Sequence, residues 1–141
     1  MYYLDTSFIA PAFIREAAST QVIDWLKKTP ADSLYASLWV KTEFASLLAR
    51  RVRMKESTPA FSERTFAKFS DWLNATCKVI VPNAADFELA ARYVRQFDTG
   101  LRGGDALHLA IASNHGGLTV VTYDQKLVQA AKLLKVTAQQ V

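Results

Sequence analysis

An alternation constrains this chain more than any other feature. Short, mainly apolar runs at Met1–Leu4, Leu34–Ala36, Lys78–Val81 and Leu118–Thr122 are separated by longer stretches with helical periodicity. Apolar runs this short, lacking a polar face, read as buried strands of a parallel sheet covered on both sides. Between them, Val22, Ile23, Trp25 and Leu26 recur at helical spacing within Ser19–Lys28, before Thr29-Pro30 ends the pattern. Val40, Phe44, Leu47, Leu48 and Val52 form the stripe of an amphipathic helix over Trp39–Arg53. Pro59 after Ser57-Thr58 starts a helix through Phe61, Phe66, Phe69, Trp72 and Leu73, and Asn83 caps one reaching about Phe97. Asp105 opens a helix that His115-Gly-Gly117 stops, and Asp124 opens another through Leu134, leaving Val136 and its neighbours as a candidate last strand. Strands alternating with helices predict an α/β architecture with a mainly parallel sheet and right-handed crossovers. No linker or repeat divides residues 1–141, so the expectation is one domain.

Charge and cysteine content narrow the function classes. Seventeen Lys and Arg against thirteen Asp and Glu give a net charge of +4, a balance that favours polyanionic partners such as nucleic acid. Cys77 is the only cysteine and has no ligand spacing around it, so it reads as a small buried hydrophobe. No apolar run is long enough to cross a bilayer, and the opening MYYLDTS has no secretory pattern, so the expected location is the cytoplasm, without membrane association.

The chemistry-bearing residues are carboxylates. Asp5 ends the first strand, Asp124 lies just beyond the fourth, Asp105 begins a helix, and Glu43 sits inside the helix over Trp39–Arg53. Taken singly, the three aspartates are helix caps and Glu43 belongs to a solvated face or pairs with Lys41 or Arg50. Taken together, three of the four fall at one edge of a parallel sheet, where functional groups gather. Convergent carboxylates repel unless a cation neutralises them, and an all-oxygen set suits Mg²⁺ or Mn²⁺.

The segments Tyr3-Leu-Asp-Thr-Ser7, Arg102-Gly-Gly-Asp-Ala-Leu-His-Leu-Ala110 and Thr122-Tyr-Asp-Gln-Lys-Leu127, with Glu43 between the first two, resemble the PIN domain, specifically the small toxin ribonucleases of VapC type. The resemblance spans essentially the whole chain, in order. It implies a three-layer fold with strand order 3-2-1-4-5, so that strands 1 and 4 lie side by side. It also implies an acidic site of Asp5, Glu43, Asp105 and Asp124 with a hydroxyl from Thr6 or Ser7, metal-dependent endoribonuclease activity, inhibition by an antitoxin, and a homodimer.

On that reading Asp5 and Asp105 are the expected direct metal ligands, with Glu43 and Asp124 binding through water or orienting it. Arg15, Arg50, Arg51, Arg102 and Lys126, with Arg53 and Lys55, are candidate RNA contacts, although cations at the end of the Glu43 helix also complement its dipole. His108, flanked by Leu107 and Leu109, is expected to be a buried, hydrogen-bonded scaffold residue rather than a ligand. Phe61, Phe66, Phe69 and Trp72, like Phe8, Ile9, Phe13 and Ile14, read first as core. Gly103-Gly104 is expected to let the backbone bring Asp105 close. Three other functions compete: RNA processing outside a toxin–antitoxin pair, a phosphatase with Asp5 as nucleophile, and a non-enzymatic partner-binding domain.

Overall fold

The computed structural model describes residues 1–141. Its strands are β1 (Tyr2–Leu4), β2 (Leu34–Ser37), β3 (Lys78–Ile80), β4 (Thr119–Val121) and β5 (Ala138–Gln139). All pair in parallel in one sheet of order β3-β2-β1-β4-β5, as the resemblance implied. The helices are α1 (Thr6–Ile9), α2 (Ser19–Lys28), α3 (Leu38–Arg53), α4 (Pro59–Thr76), α5 (Ala84–Val94), α6 (Gly103–Asn114) and α7 (Gln125–Leu133), and they flank the sheet to make three layers.

The chain winds outward from β1 to β3 and then returns to lay β4 against the free side of β1. The strand order therefore reverses at β1, where parallel sheets open a crevice beyond the strand ends. The register pairs Leu4 with Val121, so the next residues, Asp5 and Thr122, emerge together at that crevice.

The core accounts for the apolar pattern. Tyr3, Leu4, Leu34, Ala36, Val120 and Val121 are buried, as short strands covered by helices must be. Phe13 packs edge-on against Phe44, Phe69 and Trp72, so these aromatics join α3 and α4 to the first turns rather than forming a base-stacking surface. Truncating Phe44 or Phe69 to alanine would cost about 3–5 kcal/mol. Phe8, Ile9 and Ile14 are also buried; Phe61 is the exposed member of the α4 set. Cys77 is buried and burial pushes its thiol up to about 12, so it is inert packing.

Two helix boundaries differ from the sequence expectation. α6 begins at Gly103, so Asp105 lies within its first turn, and the N-cap position is Arg102, which makes no capping hydrogen bond. The two glycines adopt helical geometry and start the helix early, which releases the Asp105 side chain from capping. α5 stops at Val94; Phe97, 85% exposed, has nothing to pack against and instead enters a 3-10 turn that ends at Gly100 with φ +62°.

Candidate active site

Asp5 is the fixed point of the crevice. Its backbone N–H continues the β1–β4 ladder to Val121, and its side chain caps α1. Oδ1 accepts from the Thr6 N–H at 2.7 Å; Oδ2 accepts from the Ser7 N–H at 3.3 Å, the Ser7 hydroxyl at 2.5 Å and the Thr122 hydroxyl at 2.7 Å. Four donors and 5% exposure leave this carboxylate no freedom to turn. The capping reading of Asp5 is thus correct, and the same capping aims the group at the crevice.

Glu43 does not belong to a solvated face. It projects from the middle of α3 toward Asp5, and its Oε2 accepts from the Thr6 hydroxyl and from His108 Nε2, each at 2.6 Å. Its Oε1 receives no hydrogen bond. The alanine-like Cβ that Gly104 lacks would stand 3.1 Å from Oε1 and 3.3 Å from Trp39 Cζ2, so the absence of a side chain there admits Glu43. Gly103 has open space around it, so the expected close approach holds at Gly104 alone, and the group admitted is Glu43 rather than Asp105. The two predicted hydroxyls divide their work: Ser7 holds Asp5 and Thr6 holds Glu43.

Asp105 and Asp124 complete the ring. Asp124 caps α7 through one oxygen, Oδ1, which accepts from the Lys126 and Leu127 N–H groups and leaves Oδ2 free. Asp105 accepts no hydrogen bond at all. Its carboxyl is pushed above the ordinary range, first by burial, then by the negative charges of Asp124, Asp5 and Glu43, with His108 partly opposing them. All four acids line one cleft of about 520 Å³ together with Thr6, Ser7 and Glu16. A second cleft of about 260 Å³ shares Asp105 and Asp124 and brings in Arg102 and Lys126.

Sequence reasoning missed two participants, Thr122 and Glu16, and the partners of a third, His108. His108 is buried, as expected of a scaffold, but it touches the acids directly: besides bonding Glu43, its Nε2 lies 3.1 Å from Asp5 Oδ1. Burial works against its protonated form, and the charges of Asp5 and Glu43 outweigh burial, so its pKa lies above the ordinary value. Its position three residues after Asp105 on one helix was the available signal. Thr122, at the end of β4, was legible only once β4 was paired with β1. Glu16, an exposed residue after α1, gave no signal. Among the predicted cations, Arg102 and Lys126 line the smaller cleft, whereas Arg15, Arg50 and Arg51 line neither. Arg51 pairs with Glu56 at 3.7 Å, and Arg53 lines a groove between α3 and α4.

The donor set fits a hard divalent cation. Glu43 Oε1, Asp124 Oδ2 and both oxygens of Asp105 are carboxylate oxygens without a protein donor, beside an Asp105 whose charge its neighbours disfavour. Such a cluster is relieved by Mg²⁺ or Mn²⁺, which take oxygen ligands. Asp5, Glu43 and His108 also bring ligand atoms within 4.8 Å of one another.

The family model described as PIN domain matches residues 2–133. The chain is a PIN domain. No individually curated protein matches this PIN domain in sequence. Solved structures share its fold: VapC20 of Mycobacterium tuberculosis, a toxin that cleaves the sarcin–ricin loop, superposes with a TM-score of 0.75 at 20% identity, over 92% of this chain and 95% of that one. FitAcB of Neisseria gonorrhoeae gives 0.71 at 18% identity over 98% and 96%. VapBC2 of Rickettsia felis, solved on a DNA fragment of its promoter, gives 0.69 at 14% identity over 99% and 98%. No helix of this PIN domain is long and apolar enough to cross a membrane.

Proposed function

We propose that this single-domain PIN protein is a metal-dependent endoribonuclease and the toxin of a type II toxin–antitoxin pair, acting in the cytoplasm as a homodimer. One observation carries the reading: four carboxylates, from the end of β1, α3, α6 and the β4–α7 turn, converge on one cleft, and three of them, Glu43, Asp105 and Asp124, keep oxygens without protein donors. The likeness of its fold to VapC20, a toxin, and to VapBC-5 of Mycobacterium tuberculosis, a member of the VapBC family of toxin–antitoxin systems, supports the biological setting.

Asp5 and Asp105 would hold Mg²⁺ or Mn²⁺ directly, and Glu43 and Asp124 would contribute through water. The bound ion supplies Lewis acidity, which makes water a nucleophile at neutral pH and offsets charge on the phosphodiester. Glu43 Oε1 and Asp124 Oδ2, both without protein donors, would orient the attacking water or take its proton. Arg102 and Lys126, beside the acids rather than among them, neutralise flanking RNA phosphates. The bonds to Asp5 argue against a phosphatase: four donors draw charge from its carboxylate and make it a poor nucleophile.

The test incubates the purified protein with structured RNA and with a generic phosphomonoester, with Mg²⁺ or Mn²⁺ and with chelator, beside Asp5→Asn and Asp105→Asn. The expected result is internal RNA cleavage that requires the metal and is lost in both variants. Inactivity on varied RNAs after removal of any bound inhibitor, or retained activity in both variants, rejects the site. Growth arrest on expression, relieved by Asp105→Asn, separates a toxin from an RNA-processing nuclease.

A further inference from the structure

We propose that His108 is a positioning residue that holds Glu43 beside Asp5 for metal binding, and that Tyr3 and Ser37, from the sheet beneath, hold His108 in turn. The proposal rests on the metal-dependent reading above and concerns residues outside its ligand set.

The chain of contacts is continuous. His108 Nε2 is 2.6 Å from Glu43 Oε2 and 3.1 Å from Asp5 Oδ1. A carboxylate accepts, so Nε2 carries the hydrogen, and a nitrogen so engaged has no lone pair for an ion. At the other side of the ring, Nδ1 is 2.9 Å from the Tyr3 hydroxyl, which is 2.7 Å from Ser37 Oγ. Tyr3 and Ser37 are 0% exposed and His108 is 1% exposed, so water does not substitute for any link. Either partner of the Tyr3–His108 contact can donate, so the arrangement holds whichever protonation state the ring adopts.

The geometry explains why three polar residues are buried in a row. Asp5 and Glu43 come from different elements, and two carboxylates side by side repel. Thr6 and His108 both load Glu43 Oε2 at 2.6 Å, which leaves Oε1 as its open oxygen. The ring is pinned from both sides, so it fixes the direction of Glu43 as well as its distance from Asp5. Such supporting residues around a metal site commonly govern affinity about 10–100-fold.

The test titrates Mn²⁺ calorimetrically into the full-length protein and into His108→Leu, His108→Gln and Tyr3→Phe, each checked for folding by circular dichroism. His108→Leu is expected to weaken Mn²⁺ binding about 10–100-fold. His108→Gln, which returns an N–H donor near the position of Nε2, recovers much of that loss. Tyr3→Phe, which deletes one oxygen, weakens binding less than His108→Leu, and its kcat for RNA cleavage returns toward the unaltered value at saturating Mn²⁺. Electron spin echo spectra of bound Mn²⁺ show no directly ligated nitrogen. Unchanged affinity in a folded His108→Leu overturns the proposal, as does a directly bound imidazole nitrogen. If His108→Leu does not fold, unchanged affinity in Tyr3→Phe overturns it. Absence of Mn²⁺ binding by the unaltered protein overturns the metal reading, and this proposal with it.

Discussion

Helix α6 meets an acid and a histidine at each of its ends, Asp105 with His108 at the start and Asp86 of α5 with His115 just past the finish, and the two clusters are opposite in construction. At the C-terminal end, Asp86 of α5 is 0% exposed and fully paired: it accepts from the Asn83 N–H at 2.9 Å and the Asn114 amide at 2.8 Å, and it meets His115 Nε2 at 3.1 Å. Burial would raise its carboxyl, but these bonds outweigh burial and hold it below the ordinary range. At the N-terminal end, Asp105 has no donor, faces three other acids and is pushed the other way. A charge supplied with partners stabilises the fold, and a charge left without them is kept for a ligand.

The sharpest way to break this contrast is to neutralise each acid in turn. Asp105→Asn is expected to lower RNA cleavage by at least about 100-fold and to leave the melting temperature unchanged or raised, because it removes repulsion and no hydrogen bond. Asp86→Asn is expected to do the reverse, sparing cleavage and costing about 1–3 kcal/mol in denaturant unfolding. Equal destabilisation by the two variants would erase the distinction.

The pH dependence should separate them by sign. Asp86, lowered in the fold, contributes stability that is complete above the ordinary carboxylate pKa of about 4 and is lost as pH falls through its depressed value. Asp105, raised in the fold, opposes folding above its raised pKa, and that penalty vanishes as pH drops below about 4. Unfolding curves across this range should therefore show Asp86→Asn losing part of the acid transition, and Asp105→Asn gaining stability at neutral pH only.

Two smaller effects sharpen the cleft itself. Gly104→Ala places a methyl 3.1 Å from Glu43 Oε1, and cleavage is expected to fall about tenfold while the melting temperature barely moves. Arg102→Ala and Lys126→Ala should each weaken RNA binding modestly and reduce the slope of log affinity against log salt by about 0.7, the single-strand value for one phosphate. Arg50→Ala, outside both clefts, should leave that slope unchanged.

How far the sequence went depends on what each residue answers to. The strands and helices followed from local apolar periodicity, and the strand order followed from the family resemblance. The four acids stood out because Asp5 and Asp124 lie at strand ends, Asp105 near a helix start and Glu43 inside a helix where neither capping nor a turn accounts for it, and the family resemblance grouped them. His108 was read as scaffold because its neighbours in sequence are leucines, whereas its contacts are set by β1 and α3. Arg50 and Arg51 were charged and near Glu43 along the chain, but a helix turns successive residues to different sides. The cap expected at Asp105 failed because propensity cannot tell whether a preceding Gly-Gly pair is loop or first turn.

The pairing of β1 with β4 also governs when the complete cleft can exist at all. Thr122 meets Asp5 across 117 positions of chain, and the acids stand near the beginning, the first third and the end of the sequence. Contacts between such distant segments carry a large loop-closure cost and require both segments to have been made. A growing polypeptide still short of Asp124 therefore has no complete cleft, and a chain cut short before that residue carries at most three of the four acids.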